Sequence, residues 1–214
     1  MHVQTLFQET RAHVMHGLMQ RYSLGSVILM TPDGIEANSL PIEVDTSYGE
    51  FGTLRCHFGR SNPVWQSLIH GMEAMVIFQG PNAYISPRWY VAGQKSKKVL
   101  PSWNFAVVHA YGTPRIVDDK TWLLKHLSAL VAQNECLQPQ PWSLAEASID
   151  FVQQSAEHLV GMEIPITRLV GKWFASQQRT AADRASLVTS LHRRPHDISA
   201  AMASLIEQVD RQDK

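Results

Sequence analysis

The stretch Phe78–Val108, FQGPNAYISPRWYVAGQKSKKVLPSWNFAVV, sets the reading of the whole chain. The apolar run Ala74–Phe78 leads into it as a strand, and Ala83–Ser86 reads as a second short strand. A polar loop rich in glycine and lysine follows, and the pair Trp103-Asn104 opens a third strand. Trp89, Tyr90 and Trp103 gather flat rings beside Lys95, Lys97 and Lys98. Rings beside cations around a flexible loop suit a flat, anionic ligand. They serve equally well as core flanked by a solvated loop.

Upstream of this stretch the pattern is one of short strands. Glu9–Tyr22 carries an apolar stripe at helical spacing and ends near Gly25. His13 and His16 lie three apart on it, without a carboxylate on the same turn, which reads as surface histidine. Ser26–Met30 is a short buried strand, returned by the turn Thr31-Pro32-Asp33-Gly34 into Ile35–Val44. Pro41 assigns that return strand to an edge or a bulge. Gly52–Phe58 alternates, with Leu54, Cys56 and Phe58 on one face and Thr53, Arg55 and His57 on the other. Asn62-Pro63 then reads as the cap and first residue of a helix over Val64–His70. A small-polar turn holding an arginine before a helix is a natural anion site, with Arg60 able to chelate two oxygens. An ordinary capped helix with a surface arginine satisfies the same residues.

Downstream, Phe105–Val117 reads as a long strand broken at Gly112–Pro114. Asp118-Asp119 caps a helix over Lys120–Asn134, with Trp122, Leu123, Leu127, Leu130 and Val131 as its apolar stripe. Gln138–Trp142 is an extended linker. A helix over Leu144–Val160 and an edge strand over Glu163–Val170 follow. Thr180–Leu191 and Ile198–Val209 are two amphipathic helices separated by His192-Arg193-Arg194-Pro195-His196. Basic residues there complement a helix C-terminus or touch phosphate.

Composition narrows the class. The 214 residues carry 44% hydrophobic side chains, enough for a core without a folding partner. Nineteen basic residues balance nineteen acidic ones, a poor basis for affinity dominated by a phosphate backbone. The two cysteines, Cys56 and Cys136, lack metal-type spacing and read as reduced thiols. No apolar run reaches the ~20 residues of a membrane span, and the expected setting is the cytoplasm. Glycine loops of the Walker or dinucleotide type are absent, as are HExxH and G-x-S-x-G. Cys56 and His57 are adjacent, but strand neighbours point to opposite faces and form no dyad. Periodicity alone supports a small β-barrel with helical decoration.

Four segments go further. HFGRSNPVW (His57–Trp65), FQGPNAYISPRWY (Phe78–Tyr90), VLPSWNFAVVHAYG (Val99–Gly112) and LVGKWFASQQR (Leu169–Arg179) resemble, in order and spacing, the PaiB-like family of FMN-binding negative transcriptional regulators. The resemblance covers nearly the whole chain. It implies an α+β fold: a mostly antiparallel FMN-binding split β-barrel, related to the pyridoxamine phosphate oxidase fold, with flanking helices. Residues 1–178 would form that domain, with a C-terminal helical extension over 179–214 packed on it. It further implies a cytoplasmic homodimer with FMN at the subunit interface. DNA is the second expected partner, on thinner support, because no helix-turn-helix stands out. The alternative function is a flavin-dependent oxidoreductase acting on a small substrate, with the hard chemistry carried by the cofactor.

The resemblance also implies a residue set. Arg60 and Ser61 would take the phosphate, with His57 and Asn62 nearby. Ser39 would fall where small polar groups approach the isoalloxazine, and Trp103 and Asn104 would wall the ring across the interface. Lys172 and Gln177 would contact ribityl or phosphate. Within Lys172–Arg179 the residues Phe174-Ala175 and Gln178 depart from the family pattern, as does Phe58-Gly59 beside His57.

Overall fold

The computed structural model describes residues 1–212. The elements run β1 (Gln8–Glu9), α1 (Ala12–Arg21), β2 (Leu24–Thr31), β3 (Gly34–Pro41), β4 (Glu43–Asp45) and β5 (Thr53–Gly59). After a single 3-10 turn at Pro63–Gln66 come β6 (Ala74–Ile85), α2 (Val91–Ser96), β7 (Ser102–Gly112) and β8 (Arg115–Val117). Then follow α3 (Lys120–Glu135), α4 (Ile149–Glu157), β9 (Leu159–Pro165), β10 (Arg168–Phe174), α5 (Ala181–His192) and α6 (Asp197–Gln212). The strands form one sheet in the order β1-β10-β7-β6-β2-β3 and a second in the order β4-β5-β9-β8. Every recorded pairing is antiparallel. This is the α+β split-barrel architecture expected from the sequence.

The chain divides into two compact units. One comprises Arg11–Phe78 and His109–Leu169; the other comprises Met1–Thr10, Gln79–Val108 and the chain from Val170 onward.

In the first unit, the hairpin of β2 and β3 pairs from Thr31↔Gly34 down to Leu24↔Pro41. Pro41 is the last residue of an edge strand, where a missing N–H costs nothing. Ile42 then bonds through its N–H to Ser23 O, buries its side chain, and the chain crosses into β4 of the second sheet. The alternation read in β5 holds: Leu54, Cys56 and Phe58 are buried, facing Val160, Met162 and Ile164 of β9 through the register Leu54↔Ile164 and Cys56↔Met162. Asp119 caps α3 by accepting the Trp122 N–H at 2.6 Å.

Several boundaries differ from the sequence expectation. The expected helix over Val64–His70 is only the Pro63–Gln66 turn, too short to carry a helix dipole. The expected helix over Leu144–Val160 is interrupted, because a capping box from Ser143 to Glu146 closes one 3-10 turn and Ala147 is extended. The expected edge strand over Glu163–Val170 is instead the end of β9 and the start of β10. β9 lies between β5 and β8, and Pro165 is tolerated there because it ends the strand. Gly112 is obligatory, since a Cβ there would lie 2.1 Å from Pro165 O.

In the second unit, Ile85, Tyr90, Ala175, Leu187, Leu191, Met202, Ala203 and Ile206 form one buried core. The helices α5 and α6 therefore share a core with Tyr90 and the end of β6. Thr180 caps α5 through the Asp183 N–H, and the buried Asp183 carboxylate accepts from Ala92 N at 3.0 Å. Arg184 joins α5 to α6 through its ion pair with Asp210.

Candidate functional site

The first unit builds its polar constellation on one rung of the four-stranded sheet. Register places Glu43 opposite Arg55, Arg55 opposite Glu163, and Arg115 opposite Glu163. The side chains follow the register. Arg55 Nη1 donates to Glu43 Oε1 at 3.1 Å, Arg55 Nε to Glu163 Oε1 at 3.2 Å, and Arg115 Nη2 to Glu163 Oε2 at 3.1 Å. Asp45 takes the remaining arm of Arg55 at 2.9 Å. Burial lowers the affinity of Arg55 for its proton, but Glu43, Asp45 and Glu163 outweigh it and hold the guanidinium pKa above its ordinary value. Ser47, through its hydroxyl and N–H, with Arg55 beyond, holds the Asp45 carboxyl below its ordinary range.

The helix α3 covers this rung. Gly161 makes room for it: a Cβ there would lie 2.2 Å from the Trp122 ring. Trp122 donates to Glu163 Oε1 at 2.8 Å and stacks on His126, with ring centroids 5.1 Å apart and planes 23° apart. His126 is buried. Its Nδ1 stands 2.7 Å from Glu43 Oε2 and its Nε2 stands 3.0 Å from Nδ1 of His57. A continuous chain Glu43–His126–His57 results. Burial, and then the neighbouring His126, push the His57 pKa down to about 4. A cavity of about 180 Å³ opens beside the chain, with Lys125 among its lining residues. On the other flank of Glu43 and Arg55 an open cleft of about 740 Å³ reaches Arg21 of α1.

Two residues beyond His57 the strand ends in the turn Gly59–Pro63. Asn62 N–H bonds to Gly59 O, and the Asn62 carboxamide caps Val64 and donates to Asn38 Oδ1 at 3.1 Å. Asn38 and Ser39 are consecutive on the edge strand β3, and Ser39 is exposed. Ser61 is exposed, and its hydroxyl has no hydrogen bond among the described residues. Arg60 is already engaged: it donates to both Asp118 oxygens at 2.9 and 2.5 Å, and to the carbonyls of Glu157 and Leu159. Both side chains of the pair face solvent, at 39% and 52% exposure, so another anion can compete for the guanidinium. That donor set fits a phosphomonoester: an exposed guanidinium with a replaceable partner, a free hydroxyl and an amide-braced turn.

The remaining expected residues lie in the second unit. Trp103 is 54% exposed, donates to Asn82 Oδ1 at 3.3 Å, and meets Tyr84 edge-on at 6.0 Å. Asn104 is 0% exposed and exchanges hydrogen bonds with the hydroxyl of Ser176 at 3.0 and 3.2 Å. Gln177 spends its carboxamide on its own segment, accepting from Ala175 N and donating to Trp173 O. Lys172 reaches His2 O at 3.3 Å and lies over the Phe105 ring at 5.6 Å. Lys97 ends α2 in a left-handed conformation, and the side chain of Lys95 lies outside the described residues.

Elsewhere, burial pushes the Cys56 thiol up to about 12, while Cys136 is exposed and free. His16 bonds to Phe51 O, and among the described residues no group of three potential ligands can hold a metal. No described helix is long and apolar enough to cross a membrane.

Residues 1–168 match the family described as "Putative FMN-binding domain". The chain belongs to this FMN-binding family. FMN is accordingly its cofactor. Among relatives of this FMN-binding protein, "Protease synthase and sporulation protein PAI 2" of Bacillus subtilis is 26% identical over 207 residues, covering 97% of each chain, which places the protein in the PaiB-like group. An uncharacterized protein of Emericella nidulans is 28% identical over 205 residues, covering 81% of this chain and 82% of its own. Among solved structures, a conserved hypothetical protein of Mycobacterium tuberculosis, Rv2991, superposes with a TM-score of 0.58 at 12% identity, covering 83% of this chain and 92% of that one. At that identity the likeness concerns the fold alone.

Proposed function

We propose that the protein is an FMN-dependent negative transcriptional regulator of the PaiB type, acting in the cytoplasm as a homodimer with flavin at the subunit interface. The observation that carries this reading is the Gly59–Pro63 turn, where Arg60 and the unbonded Ser61 hydroxyl meet solvent within the matched FMN-binding region. Arg60 and Ser61 take the phosphate, with His57, Asn62 and Ser39 around it. Trp103, exposed beside Tyr84, is the ring-facing surface offered to a second subunit. Lys172 is a secondary polar contact. Asn104 and Gln177 support that surface from within, because their polar atoms are consumed internally. Residues 1–178 and the helices beyond them divide the work: the former bind flavin, the latter carry the exposed run His192–His196 toward DNA.

The test is a set of three measurements on purified protein: its absorbance in the flavin bands, its mass by light scattering, and a gel-shift assay with and without FMN. A yellow dimer that retards its own upstream DNA supports the reading; a yellow dimer without DNA affinity at moderate salt removes direct repression. The Glu43–His126–His57 chain favours a second reading, a flavin-dependent oxidoreductase, since it can move a proton. Anaerobic bleaching of the bound flavin by NADPH distinguishes that case.

A further inference from the structure

The two histidines of the first unit leave little freedom in where their protons lie. Glu43 accepts from Arg55 with one oxygen and faces His126 Nδ1 with the other, so Nδ1 of His126 carries a hydrogen. Across the 3.0 Å contact between His126 Nε2 and His57 Nδ1, one nitrogen donates and the other accepts. Two states satisfy this with His57 neutral. In the first, both rings are neutral, His57 donates from Nδ1, and its Nε2 bears a lone pair. In the second, His126 holds an extra proton and donates to His57 Nδ1, so the His57 hydrogen sits on Nε2. The remaining state, with the extra proton on His57 and donation from its Nδ1 to a neutral His126, sets the charge one ring away from Glu43 and is the costlier arrangement. Burial, and then the neighbouring His126, hold His57 against protonation, and a state with both rings charged would in addition set N–H against N–H.

The surroundings suit one added proton. Glu43, Asp45 and Glu163 face Arg55 and Arg115, one carboxylate more than the guanidinium groups present. Lys125 lines the adjoining cavity, and the Trp122 face lies against the His126 ring, where a cation is favoured. His57 stands on the same strand face as Gly59, about 7 Å before the phosphate-type turn at the rise of a strand. Nε2 makes no hydrogen bond among the described residues and is not sealed from solvent.

We propose that Glu43, His126 and His57 form a one-proton relay that converts His57 Nε2 into a neutral N–H donor for a phosphomonoester dianion seated at the Gly59–Pro63 turn. The step balances. The phosphate monoanion loses its proton to His57 Nε2, the His57 Nδ1–H bond breaks, a bond forms at His126 Nε2, and the dianion is left facing the new N–H. The dianion is thus met by a donor, and the balancing charge sits two rings away beside Glu43. The phosphate location rests on the function proposed above, whereas the relay is testable without flavin.

The relay is read by long-range proton–nitrogen spectra of histidine-labelled, ligand-free protein across pH, assigned with His57→Gln and His126→Asn. The expected result is a switch of His57 from the Nδ1–H to the Nε2–H tautomer as His126 gains its proton, with His57 uncharged until the pH falls toward about 4. Asn at position 126 keeps a donor toward Glu43 and should abolish the switch in a folded protein, as judged by circular dichroism. Ionisation of His57 in step with His126, or an unchanging tautomer, overturns the relay. The ligand is read by calorimetry of FMN and of riboflavin in buffers of differing ionisation enthalpy. Below the phosphate's second pKa near ~6, at a pH where the ligand-free spectra show His126 uncharged, the relay retains the released proton, so FMN should bind as the dianion with little exchange with buffer. The His126→Asn variant should release up to about one proton per FMN, and riboflavin should release none in either protein. Equal proton release by wild type and variant overturns the phosphate assignment. Failure of FMN to bind overturns the proposed function and the ligand, leaving the relay to be judged by the spectra.

Discussion

Replacing Asn104 by alanine separates a structural role from a cofactor role at this position. The side chain is wholly buried and exchanges two hydrogen bonds with the Ser176 hydroxyl, which is itself buried on a left-handed backbone position. Truncation leaves that hydroxyl without a partner in the core, a penalty of about 1–3 kcal/mol. The space vacated by the carboxamide adds roughly 1 kcal/mol, giving about 2–4 kcal/mol in all. For a chain of this size each kcal/mol shifts the melting temperature by about 2–4 °C, so a fall of roughly 5–15 °C is expected. Thermal and urea denaturation followed by circular dichroism measure it. The double variant Asn104→Ala/Ser176→Ala should recover about 1 kcal/mol or more, because the orphaned hydroxyl is gone. A variant that melts with the wild type yet loses FMN would refute the assignment and place Asn104 against the flavin.

Other expectations follow from the first unit. Arg60→Ala should weaken FMN binding by about tenfold or more, while Asp118→Asn should tighten it by removing the competing carboxylate, both read by flavin fluorescence. Equal weakening by both would make the pair a brace and exclude Arg60 from the phosphate. His57 has its pKa depressed from 6.5 to about 4, so the folded state binds fewer protons than the unfolded one between those values. Its stability contribution is complete above about pH 6.5 and is lost as pH falls through 4, a change of roughly 3 kcal/mol. His57→Asn, which keeps an amide where Nδ1 stood, should flatten that acid limb in urea midpoints taken at neutral and acid pH. Arg55→Met should cost about 2–3 kcal/mol after allowance for partial exposure, by leaving Glu43, Asp45 and Glu163 without their shared cation. A melting temperature unchanged in Arg55→Met would show that the row is already neutralised by bound protons.

What the sequence could and could not disclose follows the range of the interactions. The Thr31–Gly34 turn, the alternation of β5 and the Asp119 cap depend on residues within a few positions of each other, and each is legible. Trp103 and the Gly59–Pro63 turn could be singled out because local chemistry marks them. The Val64–His70 segment misleads because a cap and a proline specify a start, whereas only further turns packed on a core sustain a helix. β6 runs unbroken through Gly80-Pro81, where propensity argues for two strands and the sheet overrides it. Glu43 and His126 are 83 positions apart and are joined only by strand register and helix packing. One local signal did exist. His126 sits four residues after Trp122 and four before Leu130, squarely on the buried face of α3, where a titratable side chain needs a partner. Asn104 carried the opposite risk, since its place beside Trp103 suggests exposure while strand alternation sends its side chain inward.

The charged rung has a consequence for assembly. The two outermost strands of the four-stranded sheet, β4 and β8, are each three residues long, and each carries one end of the row, Glu43 and Arg115. A foreign strand docking on either border would find a short template and a charge whose partners are already inside the sheet. That border is closed to growth. β3, eight residues long with Ile35 turned to solvent, ends the other sheet without such protection, so uncontrolled aggregation of a damaged molecule should begin along that margin.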